Sequence, residues 1–313
     1  MPLKNSTSIP FVFILTGISG LETVSVWLSL SFTLIYVVSL LGNCTVLYVT
    51  RTDPSLRKPM YQFLSMLATT DLGLSLSTMP TMMGICWFNA REIGFSACFA
   101  QCLFIHVFSF LESSVLLAMA FDRYVAICYP LRYSSILTSA RIAKIGLAAL
   151  CRCVLPAIPP LLVLRRLPFC QSHVLSHSYC LHQDVIKLAC ADIQFSYFYG
   201  LALALLILTL DPVLIFVSYM LIAKAIMSTS SPSERLRVLN NCLSHILAVL
   251  VLYIPMVGVS MVHRFGKHVS PLVHVLMANI CLLVPPVLNP IIYSIKTTQI
   301  RRGVLRLLTP RQL

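Results

Sequence analysis

Two carboxylates, Asp71 and Glu112, lie inside long apolar stretches of this sequence. A charged group away from water is costly, and an ionisable residue in such surroundings by default serves a function. If the two acids face each other, both stay charged only around a cation; otherwise one of them holds a proton. Their types therefore predict a buried site for a small cation or a proton.

A second pair of charges, Asp122 and Arg123, ends another apolar stretch in the segment AMAFDRYVAICYPLRY. Adjacent opposite charges can satisfy each other at the edge of an apolar region, and such a pair can later open as a switch. The alternative is an anchor at a helix end, where long charged side chains reach toward water. Glu112 precedes Arg123 by about 16 Å along a helix, so the two charged sites are separate.

The elements that hold these charges must lie in a bilayer. Of the 313 residues, 58% are hydrophobic and only 11% are charged, and the mean hydropathy is +0.87. Soluble domains carry about 25% charged residues, so a soluble fold could not hide this much apolar surface. The net charge of +13 comes from short basic clusters between apolar segments. This pattern indicates membrane topology rather than a nucleic-acid-binding surface.

Seven apolar segments approach the length of about 20 residues that crosses a hydrocarbon core. They lack the strict alternation of barrel strands, so each is predicted to be a helix. The spans are 26–50, 59–86, 97–129, 142–164, 196–226, 236–262 and 271–295. The sequence thus predicts an all-α membrane protein, a seven-transmembrane helix bundle that forms a single domain over residues 1–313.

Alternate loops differ in charge, which predicts the orientation of the spans. One set carries most of the bases and few acids; its bases are Arg51, Arg57, Lys58, Arg123, Arg132, Arg141, Lys144, Lys224, Arg235, Arg237, Lys296, Arg301, Arg302, Arg306 and Arg311. The positive-inside rule assigns this set to the cytoplasm. We therefore expect an extracellular N-terminus (1–25), a long outer loop (165–195) and a cytoplasmic tail (296–313) with a short amphipathic helix.

Two sequence motifs bear on this orientation. The NST at Asn5 is a glycosylation acceptor, which is usable only on the lumenal side. The NCT at Asn43 also matches, but it lies inside the first span and is rejected. Residues 9–18 are apolar without a small-residue cleavage site after them, so no cleavable signal peptide is expected.

Some of the 12 cysteines are predicted on the oxidising side, namely Cys98, Cys170, Cys180 and Cys190. An even number there favours two disulfides, and spacing alone leaves three pairings open. The other cysteines are interpreted as packing residues. The outer loop also carries His173, His177 and His182 near Cys180, so a metal site stands there as the alternative to polar loop residues.

Several motifs accompany the seven spans and Cys98. They are GN at 42–43, PMYQFL at 59–64, ESS at 112–114, MAFDRYVAICYPLRY at 119–133, SHSYCLHQD at 176–184, SY at 218–219, LNNCLSH at 239–245, HRFG at 263–266 and PPVLNPIIY at 285–293. This pattern resembles odorant receptors of the rhodopsin-like G-protein-coupled receptor superfamily, in particular their class I, fish-like group. The resemblance covers nearly the whole chain.

The resemblance implies how the chain would switch. Asp122 would hold Arg123 at rest, and on activation Arg123 would turn toward the G protein, supported by Tyr219 and Tyr293. Tyr253 takes the place of the tryptophan that many other receptors use as a pivot in span 6. The further coupling residues implied are Tyr124, Arg237, His245, Asn289 and Pro290.

The resemblance also implies two disulfides, Cys98–Cys180 and Cys170–Cys190, and a sodium site formed by Asp71 and Glu112. No other cofactor is expected. Within the helices, Pro290 removes a hydrogen bond and bends span 7, which leaves a free carbonyl near Asn289.

The sequence departs from this family at the start of span 6. Family members usually show Lys-Ala-x-x-Thr-Cys there, whereas this chain has Arg237, Val238, Asn241 and Cys242. Since the positive charge is kept, coupling is expected to persist with altered basal activity.

Polar residues predicted to form the ligand site are His106, Gln183, Ser260 and Arg264, with apolar walls from Phe104, Val107, Phe108 and Val257. His106 lies about 12 Å below Cys98 along its helix, and Ser260 and Arg264 share one helix face. The alternatives are a hydrogen-bonded core histidine for His106 and a side chain that reaches the headgroups for Arg264. Similar class I receptors often recognise carboxylic acids, so we predict a small amphiphile with an anionic head.

Other ligand classes do not fit the matched positions. Amine receptors carry an Asp where Ile105 stands, and retinal-binding receptors carry a Lys where Leu283 stands. The predicted function is that of a multi-pass plasma-membrane odorant receptor, which activates a stimulatory, olfactory-type G protein and raises cyclic AMP.

Two other protein classes were weighed against a receptor. A transporter or channel could use Asp71 and Glu112 as an ion relay, but the lack of a repeat and of further charges along a path argues against it. An intramembrane enzyme is disfavoured because neither HExxH nor GxSxG occurs.

Overall fold

The computed structural model describes residues 12–17, 25–169, 173–228, 231–265 and 269–308. Its helices are α1 (Ser25–Thr52), α2 (Pro59–Phe88), α3 (Phe95–Cys128), α4 (Tyr133–Ile136), α5 (Ser139–Arg166), α6 (His182–Lys187), α7 (Gln194–Met227), α8 (Pro232–Phe265), α9 (Pro271–Lys296) and α10 (Thr298–Leu308). Its strands are β1 (Val12–Leu15), β2 (Glu92–Gly94) and β3 (Val174–Leu175). The seven long helices match the predicted spans to within a few residues, and this helix bundle is confirmed.

Among the described residues, six helices are long and apolar enough to cross a membrane; they are α1, α3, α5, α7, α8 and α9. The remaining long helix, α2, carries Asp71 and a series of hydroxyl residues. These hydroxyls bond to carbonyls of their own helix, as Ser65 does to Tyr61 at 2.9 Å and Ser77 to Gly73 at 2.6 Å. Such back-bonding satisfies a polar side chain without water, so α2 can share the bundle with its more apolar neighbours.

The bundle has two ends, which we call the Cys98 end and the Arg123 end after residues at opposite ends of α3. Loop 89–94 and the described residues 167–169 and 173–193 lie at the Cys98 end, and the described residues of the connections after α1, α3, α7 and α9 lie at the Arg123 end. At the Cys98 end, Asn89 stops α2 in the left-handed conformation (φ 50°). The Ala90 N–H then bonds to the Gly84 carbonyl at 3.0 Å, which is a common way to close a helix.

A small sheet closes the Cys98 end. Strand β1 pairs antiparallel with β2 and parallel with β3. Phe13 and Leu15 of β1 are buried, while Val12 and Ile14 on the other face are exposed. The alternation is the one expected of a half-buried strand. The sheet therefore ties the N-terminal segment to both loops of this end.

A hydrogen bond between α1 and α9 accounts for the predicted free carbonyl of span 7. Pro290 has no N–H to donate to the carbonyl of Pro286, one helical turn earlier. Asn43 Nδ2 donates to that carbonyl instead, at 2.8 Å. The helices approach so closely that a Cβ on Gly42 would lie 2.9 Å from Pro290 Cγ, which requires glycine there. Asn43 is buried, in agreement with its rejection as a glycosylation site.

Helix α10 is the short amphipathic helix predicted for the tail. Its buried residue Ile300 joins the core at the Arg123 end, while Arg301 and Arg302 are exposed. Arg306 Nη1 lies 3.6 Å from Asp53 Oδ2 in the loop after α1. The helix is therefore packed along α1 with its basic residues outward.

Candidate functional site

A disulfide fixes the loop between α5 and α7 to the start of α3. Cys98 is joined to Cys180, with their Cα atoms 5.4 Å apart, as the resemblance implied. The Cys180 N–H donates to Gln101 Oε1 at 2.8 Å, and Cys102 Sγ donates to the Cys180 carbonyl at 3.4 Å. Cys180 is thus held by three contacts with α3, which positions the residues on either side of it.

Some predicted site residues fall outside what the structure describes. These are Asn5 and Cys170, together with the side chains of Arg237, Asn241 and Arg264. Cys190 is disulfide-bonded, but its pairing with Cys170 stays a prediction, as does glycosylation at Asn5.

His106 faces helix α6 of the loop. The ring centroids of His106 and His182 lie 5.9 Å apart in an edge-to-face arrangement. His106 Nδ1 lies 2.7 Å from the Cys102 carbonyl. Because a carbonyl oxygen only accepts, Nδ1 carries the proton, and Nε2 of the neutral ring is then an acceptor. The Nδ1 of His106 is therefore bonded to its own helix, whereas its Nε2 can accept a hydrogen bond from a neighbouring group.

A cavity of about 30 Å³ lies between the loop, α8 and α9, with room for about one water-sized group. It is lined by His177, Leu181, Gln183, Asp184, Val259, Val262, His274, Met277 and Ala278. Gln183 is the predicted ligand residue that the structure brings to this lining. The two valines flank Ser260 on α8, whose hydroxyl donates to the Met256 carbonyl at 2.9 Å.

The loop helix α6 places the carboxylate of Asp184 beside this cavity, where two neighbouring side chains pair with it. Asp184 contacts the His177 ring, and Lys187 Nζ lies 3.4 Å from its other oxygen. Burial alone would raise the pKa of Asp184, but these two partners lower it below its ordinary value. Burial, with the nearby His106 ring, lowers the pKa of His182 to about 4. At neutral pH α6 therefore carries a paired carboxylate and an uncharged imidazole.

The predicted apolar walls do not line this cavity. Val107 packs with Ala157 on α5, on another side of α3. Phe104 and Val257 are 49% and 42% exposed, and the Phe104 ring stacks on Phe108 with centroids 6.1 Å apart. The helices that carry these residues were predicted correctly, but the face on which each residue lies depends on how its helix is rotated in the bundle.

The buried acids meet as predicted, and a third residue joins them. Asn289 Nδ2 donates to Asp71 at 3.3 and 3.1 Å and to Glu112 Oε1 at 3.0 Å. Both carboxylates are buried, and Asn289 Oδ1 is buried without a hydrogen-bond partner among the described residues. One amide thus bridges two like charges, whose repulsion a cation or a shared proton would relieve. Two carboxylates and an unpaired amide oxygen fit a small cation that prefers oxygen ligands.

The Asp122–Arg123 pair is arranged differently from the prediction. Among the ion pairs of the described residues, none joins these two side chains within 4 Å. Asp122 is buried and accepts a hydrogen bond from the Tyr133 hydroxyl at 2.7 Å. The Arg123 guanidinium contacts Met60 Sδ instead. Tyr133, in the helix that follows the turn after α3, is therefore the direct partner of the carboxylate.

Two of the predicted coupling residues form a chain of hydrogen bonds to α3. His245 Nε2 lies 2.9 Å from the Leu116 carbonyl, and Nδ1 lies 2.7 Å from the Tyr219 hydroxyl. Since the carbonyl must accept, Nε2 donates, and the neutral ring accepts from Tyr219. This chain connects α7, α8 and α3 near the Arg123 end.

The other coupling residues lie nearby in the bundle. Tyr293 is buried, and its hydroxyl has no partner among the described residues. The Tyr124 hydroxyl lies 3.4 Å from that of Tyr129.

Sequence reasoning missed an ion pair in the middle of the bundle, formed by the buried Asp211 and the half-buried Arg152. Arg152 Nη2 on α5 lies 2.6 Å from Asp211 Oδ1 on α7. Asp211 also accepts from Ser113 at 2.6 Å, and Tyr253 lies 2.8 Å from Ser113. Because the Ser113 proton goes to the carboxylate, the Tyr253 hydroxyl donates to Ser113. The predicted span 6 pivot is thus bonded through Ser113 to this ion pair.

This pair corrects one premise of the sequence analysis. A transporter was disfavoured because no further charges were recognised along a path through the bundle, but Arg152 and Asp211 form such a pair between two spans. The signal that found the first two acids, a charge inside an apolar span, would also have found these. The pair is satisfied by its own neighbours, with Arg152 Nη1 donating to Ser114 at 3.3 Å.

The histidines that could have formed the alternative metal site have other contacts in the described part of the loop between α5 and α7. Within the parts of the chain that the structure describes, no three His, Cys, Asp or Glu side chains come together as a metal ion requires. His177 is engaged with Asp184, and His182 faces His106. The histidines are therefore polar residues that pack the loop.

Known proteins resemble the chain over nearly its whole length. A solved structure, squid rhodopsin, matches with a TM-score of 0.69 and 20% identity, covering 93% of this chain and 88% of its own. This likeness shows the fold. Human olfactory receptor 51Q1 is 60% identical over 311 residues, covering 99% of this chain and 98% of its own. Human olfactory receptor 51V1 is 55% identical, covering 96% and 94%.

The family model described as olfactory receptor matches residues 32–311. This match confirms the predicted resemblance and excludes the transporter and enzyme alternatives, since the relatives are receptors. The chain belongs to the olfactory receptor family of G-protein-coupled receptors, and is a multi-pass plasma-membrane protein that receives an odorant and signals to a G protein.

Proposed function

We propose that the odorant is a small amphiphile with an anionic head, most simply a carboxylic acid, and that the receptor activates a stimulatory G protein and raises cyclic AMP. The observation that carries the ligand proposal is the position of Gln183 at the Cys98 end, where it meets apolar side chains of α8 and α9 around a small cavity that a ligand would widen on binding. An amide donor beside apolar walls suits a polar head with a hydrocarbon tail.

The charges around the cavity are compatible with an anionic head. Asp184 would repel a carboxylate, but it is paired with His177 and Lys187. Arg264 follows Ser260 by one turn in the sequence of α8, and in this proposal its guanidinium supplies the cation. A guanidinium can donate two parallel hydrogen bonds to both oxygens of a carboxylate, whereas lysine offers a point charge. Arg264 and Gln183 are therefore the proposed head-binding residues.

His106 would contribute in a way that depends on its protonation. With Nδ1 bonded to the Cys102 carbonyl, the neutral ring offers only an acceptor at Nε2. It would accept from a protonated acid or an alcohol, and it would donate to a carboxylate only after gaining a proton. We propose that Arg264 holds the carboxylate and that His106 lines the pocket beside it.

The test compares an aliphatic acid with its methyl ester in cells that report cyclic AMP. We expect the acid to be more than tenfold more potent on the parent receptor, weaker on Arg264→Lys and nearly inactive on Arg264→Ala. A buried charge pair lost by truncation costs about 2–5 kcal/mol, whereas an exposed pair contributes about 0.2–1 kcal/mol. Equal potency of acid and ester, or a normal response of Arg264→Ala at equal surface expression, contradicts the proposal.

We also propose that Asp71 and Glu112 hold a sodium ion and that the N-terminus is extracellular. The support for sodium is the pair of carboxylates around Asn289 with its unpaired amide oxygen. The support for the orientation is the basic character of the loops at the Arg123 end, to which the positive-inside rule applies. With this orientation Arg123, Tyr219 and His245 lie near the face that meets the G protein.

A further inference from the structure

One loop side chain is buried within the helix bundle. Tyr179 belongs to the connection between α5 and α7, yet it is 0% exposed. It lies in a buried cluster formed with residues of α1, α2, α3 and α9, namely Phe32, Tyr36, Leu74, Met82, Ile105, Leu282 and Leu283. A loop residue normally lies on the surface, so this burial calls for an explanation.

The backbone beside Tyr179 leaves this side chain little freedom to withdraw. The next residue, Cys180, is bound to Cys98 by the disulfide. Its N–H donates to Gln101 and its carbonyl accepts from Cys102. The ring is therefore held in place by covalent and hydrogen-bonded contacts to α3 rather than by packing alone.

The short turn formed by residues 179–183 has two sides with different roles. Tyr179 lies among α1, α2 and α9, whereas His182 faces His106 on α3 and Gln183 lines the cavity against α8 and α9. The turn thus divides the Cys98 end of the bundle. One half is filled by the tyrosine ring, and the other half carries the cavity with its polar residues.

We propose that Tyr179 sets the upper limit on odorant length, because its ring closes the part of the bundle between α1, α2 and α9. This inference rests on the proposed function only in taking the ligand to be an aliphatic amphiphile whose head lies near Gln183. Leu181 lines the cavity and also packs against the cluster that contains Tyr179, so a tail that extends from Gln183 past Leu181 meets the tyrosine ring. Removal of the ring extends the apolar space in which the tail is buried.

The hydroxyl of Tyr179 provides a matched variant. It is buried and has no hydrogen-bond partner among the described residues, so Tyr179→Phe removes no contact and keeps the ring. Tyr179→Ala removes the ring, and Tyr179→Leu removes part of it with less risk to folding. Phe13→Ala is the control for lost packing, because Phe13 is also fully buried at the Cys98 end but packs on Phe95 and Phe169.

The experiment measures cyclic AMP responses to straight-chain acids, alcohols and methyl esters of increasing length, at matched surface expression. On Tyr179→Ala we expect the most potent chain to become longer, with potency rising about fourfold for each methylene that enters the new space. Tyr179→Leu should show a smaller shift. Tyr179→Phe and Phe13→Ala should keep the chain-length preference of the parent.

An unchanged length preference in both Tyr179→Ala and Tyr179→Leu overturns the proposal, as does the same shift in Phe13→Ala. If the odorant does not carry an acid head group, the experiment gives a different result. If the parent responds to alcohols or esters but not to acids, the proposed ligand class is wrong, while the length comparison within the active series still tests Tyr179.

Discussion

Asn43 on α1 donates a hydrogen bond of 2.8 Å to the Pro286 carbonyl on α9, the carbonyl that Pro290 leaves without its helical partner. Replacement of Asn43 by leucine leaves this buried carbonyl unpaired, which costs about 1–3 kcal/mol. We therefore expect Asn43→Leu to lower the unfolding temperature of the purified receptor by several degrees. Asn279→Leu is the control, since Asn279 donates to a carbonyl of its own helix. Equal losses of unfolding temperature in the two variants would show that the hydrogen bond between α1 and α9 contributes no more to stability than a hydrogen bond within one helix.

The Arg152–Asp211 pair predicts strongly coupled substitutions. Arg152→Leu leaves the buried Asp211 carboxylate without its cation, and because the Arg152 side chain is 34% exposed, the cost falls below the value of about 3–5 kcal/mol for a fully buried pair. Arg152→Leu combined with Asp211→Leu removes both charges and should recover most of that loss. Thermal unfolding of the single and double variants measures the coupling. Additive losses would mean that the two charges do not stabilise each other.

The contact between Tyr133 and Asp122 predicts a restraint on basal signalling. Tyr133 donates to the carboxylate at 2.7 Å, so Tyr133→Phe and Asp122→Asn should both raise the cyclic AMP level without agonist. Arg123→Ala should abolish signalling while surface expression persists. Tyr129→Phe, which removes a neighbouring phenol hydroxyl that does not contact Asp122, is the control. A fully active Arg123→Ala receptor would contradict the coupling role.

The Asp71–Glu112 cluster predicts a dependence on sodium. A ligand shifts an equilibrium only through its different affinity for the two states. If sodium favours the inactive state, higher sodium should lower agonist potency on the parent. Glu112→Gln removes one of the two charges that would hold the ion, and it should remove this dependence. The measurement is an agonist dose–response series in sodium and in an impermeant organic cation; a preserved sodium effect in the variant would exclude the site.

His182 predicts a loss of stability on mild acidification. Burial lowers its pKa to about 4 in the folded protein, below the ordinary value near 6.5. The unfolded chain then binds more protons between these values, so stability is full above pH 6.5 and falls as the pH drops toward 4. From pH 7 to pH 5 the loss is about 2 kcal/mol. We expect the unfolding temperature of His182→Gln to depend less on pH than that of the parent receptor. An equal pH dependence in the two proteins would show that His182 does not cause the loss of stability.

Hydropathy was enough to predict the helices, because each long apolar segment is read without knowledge of its neighbours. Hydropathy also showed that Asp71 and Glu112 lie within apolar spans, but their pairing in one site was implied only by the family resemblance. The strands could not be predicted, because β2 and β3 have only three and two residues and pair with a distant part of the chain. The partner of Asp122 was missed for a related reason: Tyr133 reaches it only after the chain turns back at the end of α3.

Ligand walls were the least predictable part of the site. Val107 and Phe104 belong to the same helix as His106, but Val107 packs toward α5 and Phe104 is half exposed. Sequence spacing gives the face of a helix relative to its own axis. Which face meets the interior is set by the packing of all neighbouring helices, and a single sequence does not contain that rotation.

The small sheet at the Cys98 end has a consequence for the order of assembly. Thr16 bonds to Leu175, 159 residues further along the chain. At a synthesis rate of about 5–20 residues per second, the first strand waits roughly 8–30 s for this partner. During that interval its two buried side chains, Phe13 and Leu15, have no final place. Strand β1 therefore completes its sheet only when β3 has been made, and because α7, α8 and α9 are still to follow, the Cys98 end can close before the helix bundle is complete.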